Sequence, residues 1–321
     1  MSRISIIIAT YNRCQSLEGT LKTLWPQAAG IPEVEILVVD NNSTDATKAV
    51  AKKWMPQFQG RLRYVFEPRQ GKSFALNTAV RAARGEIVAF LDDDVFVEAG
   101  WLAAMDATFR TTGCDGVGGR VLPEYPPDAP RWVRDNMMLL SGPIVAYDYG
   151  TGTLPYARPM YEFIGANFAF RKRVLEDCGL FNEAIGVGRG IENEDKELCG
   201  RLIRAGKSLV YCGQALVRHP VDPQRMSLIY IAKWNIRLGR HRFAFDEKGQ
   251  LEKGLVCYFG VPRYLIKEIL LSVFKAGAGI FNKRLFLAHW MRLFIDIGRA
   301  QEIRKTCSLM EKKRRNREKS R

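Results

Sequence analysis

Three consecutive carboxylates, Asp92, Asp93 and Asp94, follow directly on the apolar run Ile87–Leu91. A short apolar run of this kind is typical of a strand that is buried on both faces in a parallel sheet. The carboxylates would then lie at the carboxyl end of the strand, where open α/β sheets bind their ligands. Adjacent like charges repel, and a hard cation such as Mg²⁺ or Mn²⁺ relieves the repulsion because it prefers carboxylate oxygens. A solvated acidic turn is the alternative at this point.

A regular alternation of strand and helix patterns positions these acids. The predicted strands are Ile4–Thr10, Val34–Val39, Leu62–Phe66 and Ile87–Leu91. The predicted helices between them cover 16–27, 46–55 and 72–83. This alternation predicts an α/β fold with a mostly parallel sheet and right-handed crossovers.

After the acids the pattern becomes less regular. The predicted strands there are 116–122, 164–170, 208–212 and 215–217, and the predicted helices are 101–109, 171–177 and 192–205. The segment 123–160 is rich in Pro, Tyr and Gly. A long segment of that composition is either a mobile linker or a functional lid.

From Met226 onward the pattern is helical, with two apolar stripes that have Lys and Arg between them. The first stripe is Leu265, Ile266, Ile269, Leu270, Val273 and Phe274, and the second is Leu285, Phe286, His289, Trp290, Leu293 and Phe294. Such stripes are typical of helices packed on a domain and also of an anchor on anionic lipids. Charged residues interrupt both segments, so neither is expected to span a bilayer. We therefore expect an α/β domain over 1–224, an amphipathic helical region over 225–310 and a basic disordered tail over 311–321.

The charge of the chain points to an anionic partner. The formal net charge is +15 over 321 residues, and much of the excess lies near the C-terminus. Nucleic acid is not the expected partner, because the basic residues lack interleaved aromatic residues and a known binding module. The seven cysteines are scattered without metal-binding spacing, and the N-terminal strand pattern lacks the form of a secretory signal. Both features predict a cytoplasmic protein with reduced thiols.

Seven segments in order resemble one known family. They are Ile6–Arg13, Val38–Asp45, Gly71–Asn77, Phe90–Asp94, Gly165–Arg171, Glu194–Asp195 with Arg201, and Val217–His219. Together they resemble the inverting glycosyltransferases of family two, which have a GT-A type, Rossmann-like nucleotide-sugar fold. Each segment is weak alone, and their order over about the first 240 residues carries the resemblance. Ala9 stands where many members have Pro, and Ser73–Asn77 lacks the Arg often seen before that Asn.

The resemblance implies a metal site and a catalytic base. Asp94 and Asp92 would hold Mn²⁺ or Mg²⁺, with His219 as the second metal-side residue. Asp195, with Glu194 beside it, would deprotonate the acceptor hydroxyl. A structural histidine and acids that stabilise the first turn of a helix are the respective alternatives.

The resemblance also implies a nucleotide-diphosphate sugar as the donor, with a UDP-sugar as the expected one. Asp40 would accept a hydrogen bond from N3–H of uracil, with helix capping as its alternative role. Arg69 and Lys72 would contact the phosphates, or else be solvated surface charges. The other residues assigned to the donor site are Thr10, Tyr11, Arg13, Asn42, Asp92 and Asp93.

These assignments predict transfer of a sugar to a hydroxyl of a glycan or a lipid-linked acceptor in a single displacement. Trp132 or Tyr161 would stack on a sugar or belong to the core. A non-catalytic nucleotide-sugar-binding or scaffold protein of a polysaccharide assembly complex is the alternative, and the intact set of acids argues against it. Nucleotidyl transfer would need a glycine-rich loop after the first strand, which Thr10–Arg13 does not supply. The expected location is the cytoplasm, or the inner face of the cell membrane if the C-terminal helices bind lipid.

Overall fold

The computed structural model of the protein describes residues 3–28, 31, 33–156, 163–186, 194–244 and 257–319, with the backbone alone for 309–319. The chain forms two compact units. The first unit comprises Met1–Asp128 and Leu140–Asp222, and the second comprises Ala129–Leu139 and Pro223–Arg321. The boundary at Asp222 lies close to the one expected at 224. Inclusion of 129–139 in the second unit was not predicted.

The helices and strands are numbered here in chain order. The strands are β1 (Ile4–Thr10), β2 (Val34–Asp40), β3 (Leu62–Phe66), β4 (Ile87–Leu91), β5 (Phe96–Val97), β6 (Gly116–Glu124), β7 (Thr153–Pro155), β8 (Asn167–Arg171), β9 (Leu209–Pro220), β10 (Cys257–Tyr258) and β11 (Val261–Pro262). The helices are α1 (Cys14–Ala28), α2 (Thr47–Trp54), α3 (Lys72–Ala82), α4 (Trp101–Thr112), α5 (Arg131–Arg134), α6 (Lys172–Asp177), α7 (Glu194–Arg204), α8 (Leu228–Arg242), α9 (Arg263–Ala278) and α10 (Lys283–Lys319). The first four predicted strands form within one residue of their predicted bounds.

The first unit is built on one sheet with the strand order β3-β2-β1-β4-β8-β6-β9-β5, and β7 pairs with β9. The first four strands in this order pair in parallel, as the alternating pattern predicts. From β1 the chain proceeds to β2 on one side, and β4 lies on the other side. The carboxyl ends of β1 and β4 therefore flank a topological switch point, which is where open α/β sheets form ligand crevices.

The second half of the sheet brings two further chain segments to this edge. Strand β8 runs antiparallel to β4 with Asn167 opposite Leu91, so the loop before β8 lies beside the carboxyl end of β4. Strand β9 pairs antiparallel with β5 and places Arg218 opposite Phe96. Because Phe96 follows Asp94 by two residues, this pairing brings His219 close to the acids.

Strand β9 corrects one sequence prediction. The segments predicted as two short strands form a single strand, Leu209–Pro220, that pairs in parallel with β6. The register shifts between Gly119 and Arg120, so that Cys212 and Leu216 are opposite consecutive residues of β6. A bulge of this kind bends a strand without ending it. The break in the apolar pattern at Gly213–Gln214 marks this bulge.

An aromatic cluster supports the strand that ends in the acids. The ring of Phe90 on β4 lies 5.0 Å from that of Phe168 and 5.3 Å from that of Phe181, measured between centroids. Phe170 lies 6.5 Å away, and all four side chains are buried. Truncating one such buried ring to Ala costs about 3–5 kcal/mol. The cluster therefore fixes the position of β4 relative to β8.

The described part of 123–160 is packed and is not a mobile linker. Tyr147 forms an isolated bridge to Val121 and is 2% exposed. Its ring lies 5.3 Å from those of Tyr149 and Tyr211. Tyr211 also donates a hydrogen bond to the Gly150 carbonyl over 2.8 Å. These aromatic contacts explain how a segment rich in Pro and Gly remains ordered.

The second unit is helical, as the pattern from Met226 predicts. Helices α8 and α10 cross closely at two glycines: a Cβ on Gly239 would lie 2.0 Å from the Ile295 carbonyl oxygen, and one on Gly298 would lie 2.1 Å from that of Ile236. Only glycine permits such an approach. The short β10–β11 hairpin turns through Phe259 and Gly260, both with positive φ.

Helix α10 continues to Lys319, which differs from the disordered tail predicted from 311. Lys, Arg and Glu all have good helix propensity, so an established helix can extend through them. Among the helices that the structure describes, none combines the length and the apolar character that crossing a bilayer requires.

Candidate active site

Asp92, Asp94 and His219 lie together at the carboxyl edge of the sheet. One ligand atom from each lies within 4.8 Å of the others, and His219 is buried. Nε2 of His219 is 3.3 Å from Asp94 Oδ1, while Nδ1 is 2.9 Å from the Pro220 carbonyl oxygen. A carbonyl can only accept, so Nδ1 donates to it, and Nε2 is the nitrogen that faces the acids and could ligate a cation. The structure thus joins the three residues predicted as metal ligands.

The chemistry of this donor set fits a divalent cation. Two carboxylates with one imidazole suit Mn²⁺ or Mg²⁺, with the oxygen ligands dominant. The hydrogen bond at Nδ1 of His219 fixes the orientation of the ring, as the outer partners of ligating histidines usually do. Asp92 directly follows β4 and Asp94 lies in the turn after it, and this turn brings ligand atoms of both carboxylates near His219, so both can face one ion.

Arg13 compensates the charge of the other acids. Its guanidinium lies 2.7 Å from Asp94 Oδ2 and 3.1 Å from Asp93 Oδ1. Burial raises the pKa of the Asp93 carboxyl to about 6, with Arg13 opposing this shift and the neighbouring Asp94 and Asp92 adding to it. Arg13 and Asp93 were both assigned to the donor site, and the structure brings them together within hydrogen-bonding distance.

Lys72 joins the acids of β4 to the acids of α7. Its Nζ lies 2.7 Å from Asp92 Oδ1 and 3.7 Å from Glu194 Oε1. Burial disfavours the charge on Lys72, but Asp92 and Glu194 outweigh that effect and raise its pKa. Burial raises the pKa of the Glu194 carboxyl, while Lys72 opposes the shift and Asp195 adds to it. The role expected for Lys72 was a phosphate contact, and here it bridges two carboxylates.

Asp195 is held by the loop that precedes β8. Its Oδ2 accepts a hydrogen bond of 2.8 Å from the Gly165 N–H, and its Oδ1 accepts one of 2.8 Å from the Lys196 N–H. The second bond stabilises the first turn of α7, which is the structural role weighed for this residue. Asp195, Glu194, Lys72 and Asp92 line one cleft. Acids from two distant parts of the chain therefore share one cavity.

Asp40, at the end of β2, is nearly inaccessible, with 2% of its surface exposed. Its Oδ2 accepts a hydrogen bond of 2.7 Å from the Tyr64 hydroxyl, and its Oδ1 accepts one of 2.8 Å from the Ser43 N–H. Burial and the bond to Asp40 raise the pKa of Tyr64, so the phenol remains a neutral donor. Asp40 does not cap α2, because the residue before that helix is Ala46.

Two loops beside Asp40 are tied to each other. Asn12 donates its backbone N–H to Ser43 Oγ over 2.9 Å, and its Oδ1 accepts the Thr44 N–H over 2.8 Å. Asn12 and Asn42 both have left-handed backbone conformations, with φ of 51° and 66°, which Asn tolerates better than most residues. Thr10 is buried at the end of β1, and Tyr11 next to it is exposed. These loops place the residues predicted to form the nucleotide wall side by side.

Arg69 is held by a buried acid. Glu67 accepts hydrogen bonds from Nε and Nη2 of Arg69, each over 2.8 Å. The guanidinium also stacks on Phe74 at 4.5 Å from the ring centroid. The hydrogen bond from Arg69 and others from Thr78 and the Arg69 backbone lower the pKa of Glu67 to about 2, although burial opposes the shift. Arg69 is therefore a fixed cation at the edge of β3.

Several residues of the resembling segments have structural roles. Asn167 receives a hydrogen bond from the Trp101 indole and donates to the Arg120 and Ala215 carbonyls. Arg201 donates to three carbonyls between residues 178 and 180 and pairs with Glu197. Trp132 lies on α5 in the second unit, and Tyr161 lies outside the described residues.

Sequence reasoning missed two partners of the candidate site. Tyr64 could have been found from the strand pairing. Parallel pairing places Tyr64 opposite Val38, and Val38 lies on the same face of the sheet as Asp40 because the two residues are two apart on β2. The Gly165 N–H bond to Asp195 had no signal in the sequence, since it depends on the antiparallel placement of β8 beside β4.

A sheet whose fourth strand ends in an Asp-x-Asp pair, with a helix-borne acid in the same cleft, defines the GT-A class of glycosyltransferases. Comparison with known proteins agrees with this class. The family model described as glycosyl transferase family 2 matches residues 5–179, more than half of the chain. The chain belongs to glycosyl transferase family 2, and it is a glycosyltransferase that uses nucleotide-sugar donors.

Individual proteins show the same likeness. The chain is 30% identical over 241 residues to the succinoglycan biosynthesis protein ExoM of Rhizobium meliloti (strain 1021), across 74% of this chain and 73% of that protein. It is 34% identical over 107 residues to GalNAc(5)-diNAcBac-PP-undecaprenol beta-1,3-glucosyltransferase of Campylobacter jejuni, across 33% of this chain and 34% of that protein. The mannosyltransferase PcManGT of Pyrobaculum calidifontis, solved with GDP-Man and Mn²⁺, matches with a TM-score of 0.61 at 20% identity, across 92% of this chain and 86% of that one. The resemblance, fold class and enzyme class predicted from the sequence are confirmed.

Proposed function

We propose that the protein transfers a sugar from a UDP-sugar to a hydroxyl of a glycan or lipid-linked acceptor, with inversion at the anomeric carbon. The observation that carries this proposal is one cleft lined by Asp92, Glu194 and Asp195, in which Lys72 pairs with Asp92. One residue of the metal-side cluster, Asp92, and the candidate base thus line the same cavity. Inversion requires one in-line displacement, in which leaving group and base lie on opposite sides of the reacting carbon.

Different residues of the site would act on the leaving group and on the nucleophile. A divalent cation on Asp92, Asp94 and His219 would stabilise the charge that develops on the departing diphosphate. Asp195 would accept the proton of the acceptor hydroxyl, and its bond to the Gly165 N–H keeps the carboxylate in place. Lys72 would fix Asp92 and Glu194 relative to each other through its two ion pairs.

The proposed base contact rests on Asp40. Each oxygen of this carboxylate already accepts one hydrogen bond, and an ionised carboxylate has about four acceptor sites. Acceptor sites therefore remain for one further donor, such as N3–H of uracil, which would approach through the 2% of Asp40 that is exposed. Exposed Tyr11 would cover a face of the base. Because the structural neighbour from Pyrobaculum holds GDP-Man, guanine is the competing base.

The proposed acceptor follows from the names of relatives. One relative is named for succinoglycan biosynthesis and another for an undecaprenol-linked saccharide. Both names refer to saccharides, and the second refers to one that is linked to undecaprenol. A glycan or a lipid-linked saccharide is therefore the class to test first.

Calorimetric titration of UDP, GDP, dTDP and CMP, each with and without Mn²⁺, tests the donor side. We expect UDP binding that needs the metal and is lost in Asp94→Ala. Tight GDP or dTDP binding would contradict a UDP-sugar as the donor and would leave the proposed metal site unaffected. Absence of binding by any nucleotide to a folded sample would favour a scaffold protein.

Replacement of Asp195 by Asn tests the base. The variant keeps the shape of the side chain and one acceptor oxygen, so it can retain one of the two backbone hydrogen bonds that Asp195 accepts. Donor binding should remain within about two-fold of wild type. Transfer should fall by about 10²–10⁴-fold, which is the usual contribution of a general base. Wild-type turnover by the variant would rule out Asp195 as the base.

A further inference from the structure

The second unit carries an exposed apolar surface where α9 ends and α10 begins. We call it the apolar tip, and it consists of Leu270, Val273, Phe274, Ile280, Phe281 and Leu285. Phe281 is 100% exposed and Phe274 is 73% exposed. Single exposed apolar residues are ordinary, whereas a cluster of six marks an interaction surface.

Helix α9 buries a different face, so the tip is not part of the helix packing. Leu265, Ser272 and Ala276 are its buried residues, and they recur with helical spacing on one side. Leu270 and Phe274 lie on the opposite side, four residues apart. The tip therefore extends away from the contact between α9 and α10.

Exposed cations flank the tip along α9 and at the start of α10, and we call this set the ring of cations. It consists of Arg263, Lys267, Lys275, Lys283 and Arg284, all of them exposed. Among the described residues none of these five has an ion pair. The neighbouring acids are already engaged, since Glu268 lies 4.0 Å from Arg292 and Asp296 pairs with Arg292 and Arg299. The surface thus combines apolar side chains with an uncompensated positive charge.

We infer that the apolar tip inserts into the headgroup layer of an anionic lipid bilayer, with the ring of cations on the lipid phosphates. A second copy of the chain fits poorly, because a two-fold interface would oppose the cations of one copy to those of the other. Single-stranded nucleic acid fits poorly as well, because four of the six tip residues are aliphatic and offer no ring for base stacking. An apolar centre with a basic rim is the arrangement of interfacial membrane anchors.

Flotation of the full chain with lipid vesicles, without donor or acceptor, tests this inference. Phosphatidylcholine vesicles are compared with vesicles that also contain phosphatidylglycerol, at low and at high salt. We expect flotation with the anionic vesicles only, decreasing as salt screens the charges. Because no sugar transfer is measured, failure of the proposed transferase function would not affect the result.

Three variants separate the apolar and the electrostatic contributions. The double variant Phe274→Ser/Phe281→Ser should lower the vesicle partition coefficient by more than about ten-fold at either salt concentration. Lys275→Gln/Lys283→Gln should lower it by about five-fold for each cation at low salt and much less at high salt. Ile229→Ser is the matched control, because Ile229 is 70% exposed in the same unit and lies outside the tip.

Circular dichroism first establishes that each variant is folded. Wild-type protein that stays with neither vesicle, or binds both equally, would overturn the inference. The same holds if Ile229→Ser loses as much binding as the phenylalanine variant. A dimer in analytical ultracentrifugation that Phe274→Ser/Phe281→Ser dissociates, with vesicle binding unchanged, would assign the tip to self-association instead.

Discussion

Replacing Lys72 by Met removes the cation that lies between Asp92 and Glu194. At an effective dielectric constant of about 20, attractions over 2.7 and 3.7 Å amount to about 6 and 4 kcal/mol, and desolvation of the ammonium offsets much of them. Breaking a fully buried pair costs about 3–5 kcal/mol. Since Lys72 keeps 27% of its side chain exposed, we expect a loss of about 2–4 kcal/mol in the free energy of unfolding.

Urea denaturation in the presence of a chelator measures this loss, and a double-mutant cycle identifies its cause. Glu194→Gln alone should destabilise the protein, because it weakens the attraction to Lys72. In the Lys72→Met background the same change should stabilise it, because it removes a buried acid that has lost its cation. The expected coupling energy is about 1–3 kcal/mol. Additive effects of the two substitutions would refute the assignment of Lys72 as the bridge.

The pH dependence gives a second test of the same variant. Burial already raises the pKa of Glu194 above its ordinary value of 4.5, and loss of the opposing Lys72 should raise it further. The folded state then takes up a proton before the unfolded state does as the pH falls. Stability of Lys72→Met should therefore recover between neutral pH and 4.5. A deficit that is independent of pH would show that lost packing, and not the buried charge of Glu194 without its cation, causes the effect.

Three other substitutions test separate parts of the structure. The pKa of Glu67 is about 2 in the folded protein and ordinarily 4.5, so its ionised form adds about 2–3 kcal/mol of stability above pH 4.5, and this is lost as the pH falls toward 2. Glu67→Gln should reduce this loss of stability at acid pH in urea titrations, and an unchanged acid loss would contradict the shift. Gly298→Ala should destabilise the second unit by about 2–3 kcal/mol in thermal unfolding, because the new Cβ would lie 2.1 Å from the Ile236 carbonyl oxygen, whereas Gly277→Ala, with nothing within 4 Å, should be neutral or slightly stabilising. His219→Ala should weaken Mn²⁺-dependent nucleotide binding by about ten-fold or more, since it removes one of the three proposed ligands. Wild-type affinity in calorimetry would exclude His219 from the proposed metal site.

The sheet and the acidic edge were predictable because their signals are local. Apolar runs bounded by polar clusters predict the first four strands, and the alternation of these strands with helices predicts their parallel pairing. A cation site at Asp92 and Asp94 was predicted from the run of carboxylates after a buried strand, whereas His219 was added to it by the family resemblance alone. In the structure, the pairing of β5 with β9 brings His219 close to the two acids. Strand β5 has only two residues, so it leaves no periodic signal in the sequence.

The contacts within the cleft could not be predicted because they join distant segments. Lys72 was assigned to the phosphates, with solvated surface charge as its alternative, and its pairing with Glu194 depends on where α7 packs. The bulge in β9 was read as a gap between two strands, because a pattern cannot show that pairing resumes beyond it. The extension of α10 through basic residues reflects propensity along an existing helix, whereas the composition of the tail alone suggested disorder.

The two loops tied by Asn12, Ser43 and Thr44 have a consequence for donor recognition. Their backbone is already held by hydrogen bonds, so its conformational freedom is lost when the domain folds and not when the nucleotide arrives. Ordering of a flexible loop slows association and lowers affinity, and a preorganised wall avoids both effects. Nucleotide exchange at this wall should therefore resemble docking to a rigid surface, and discrimination between bases should appear in the dissociation rate.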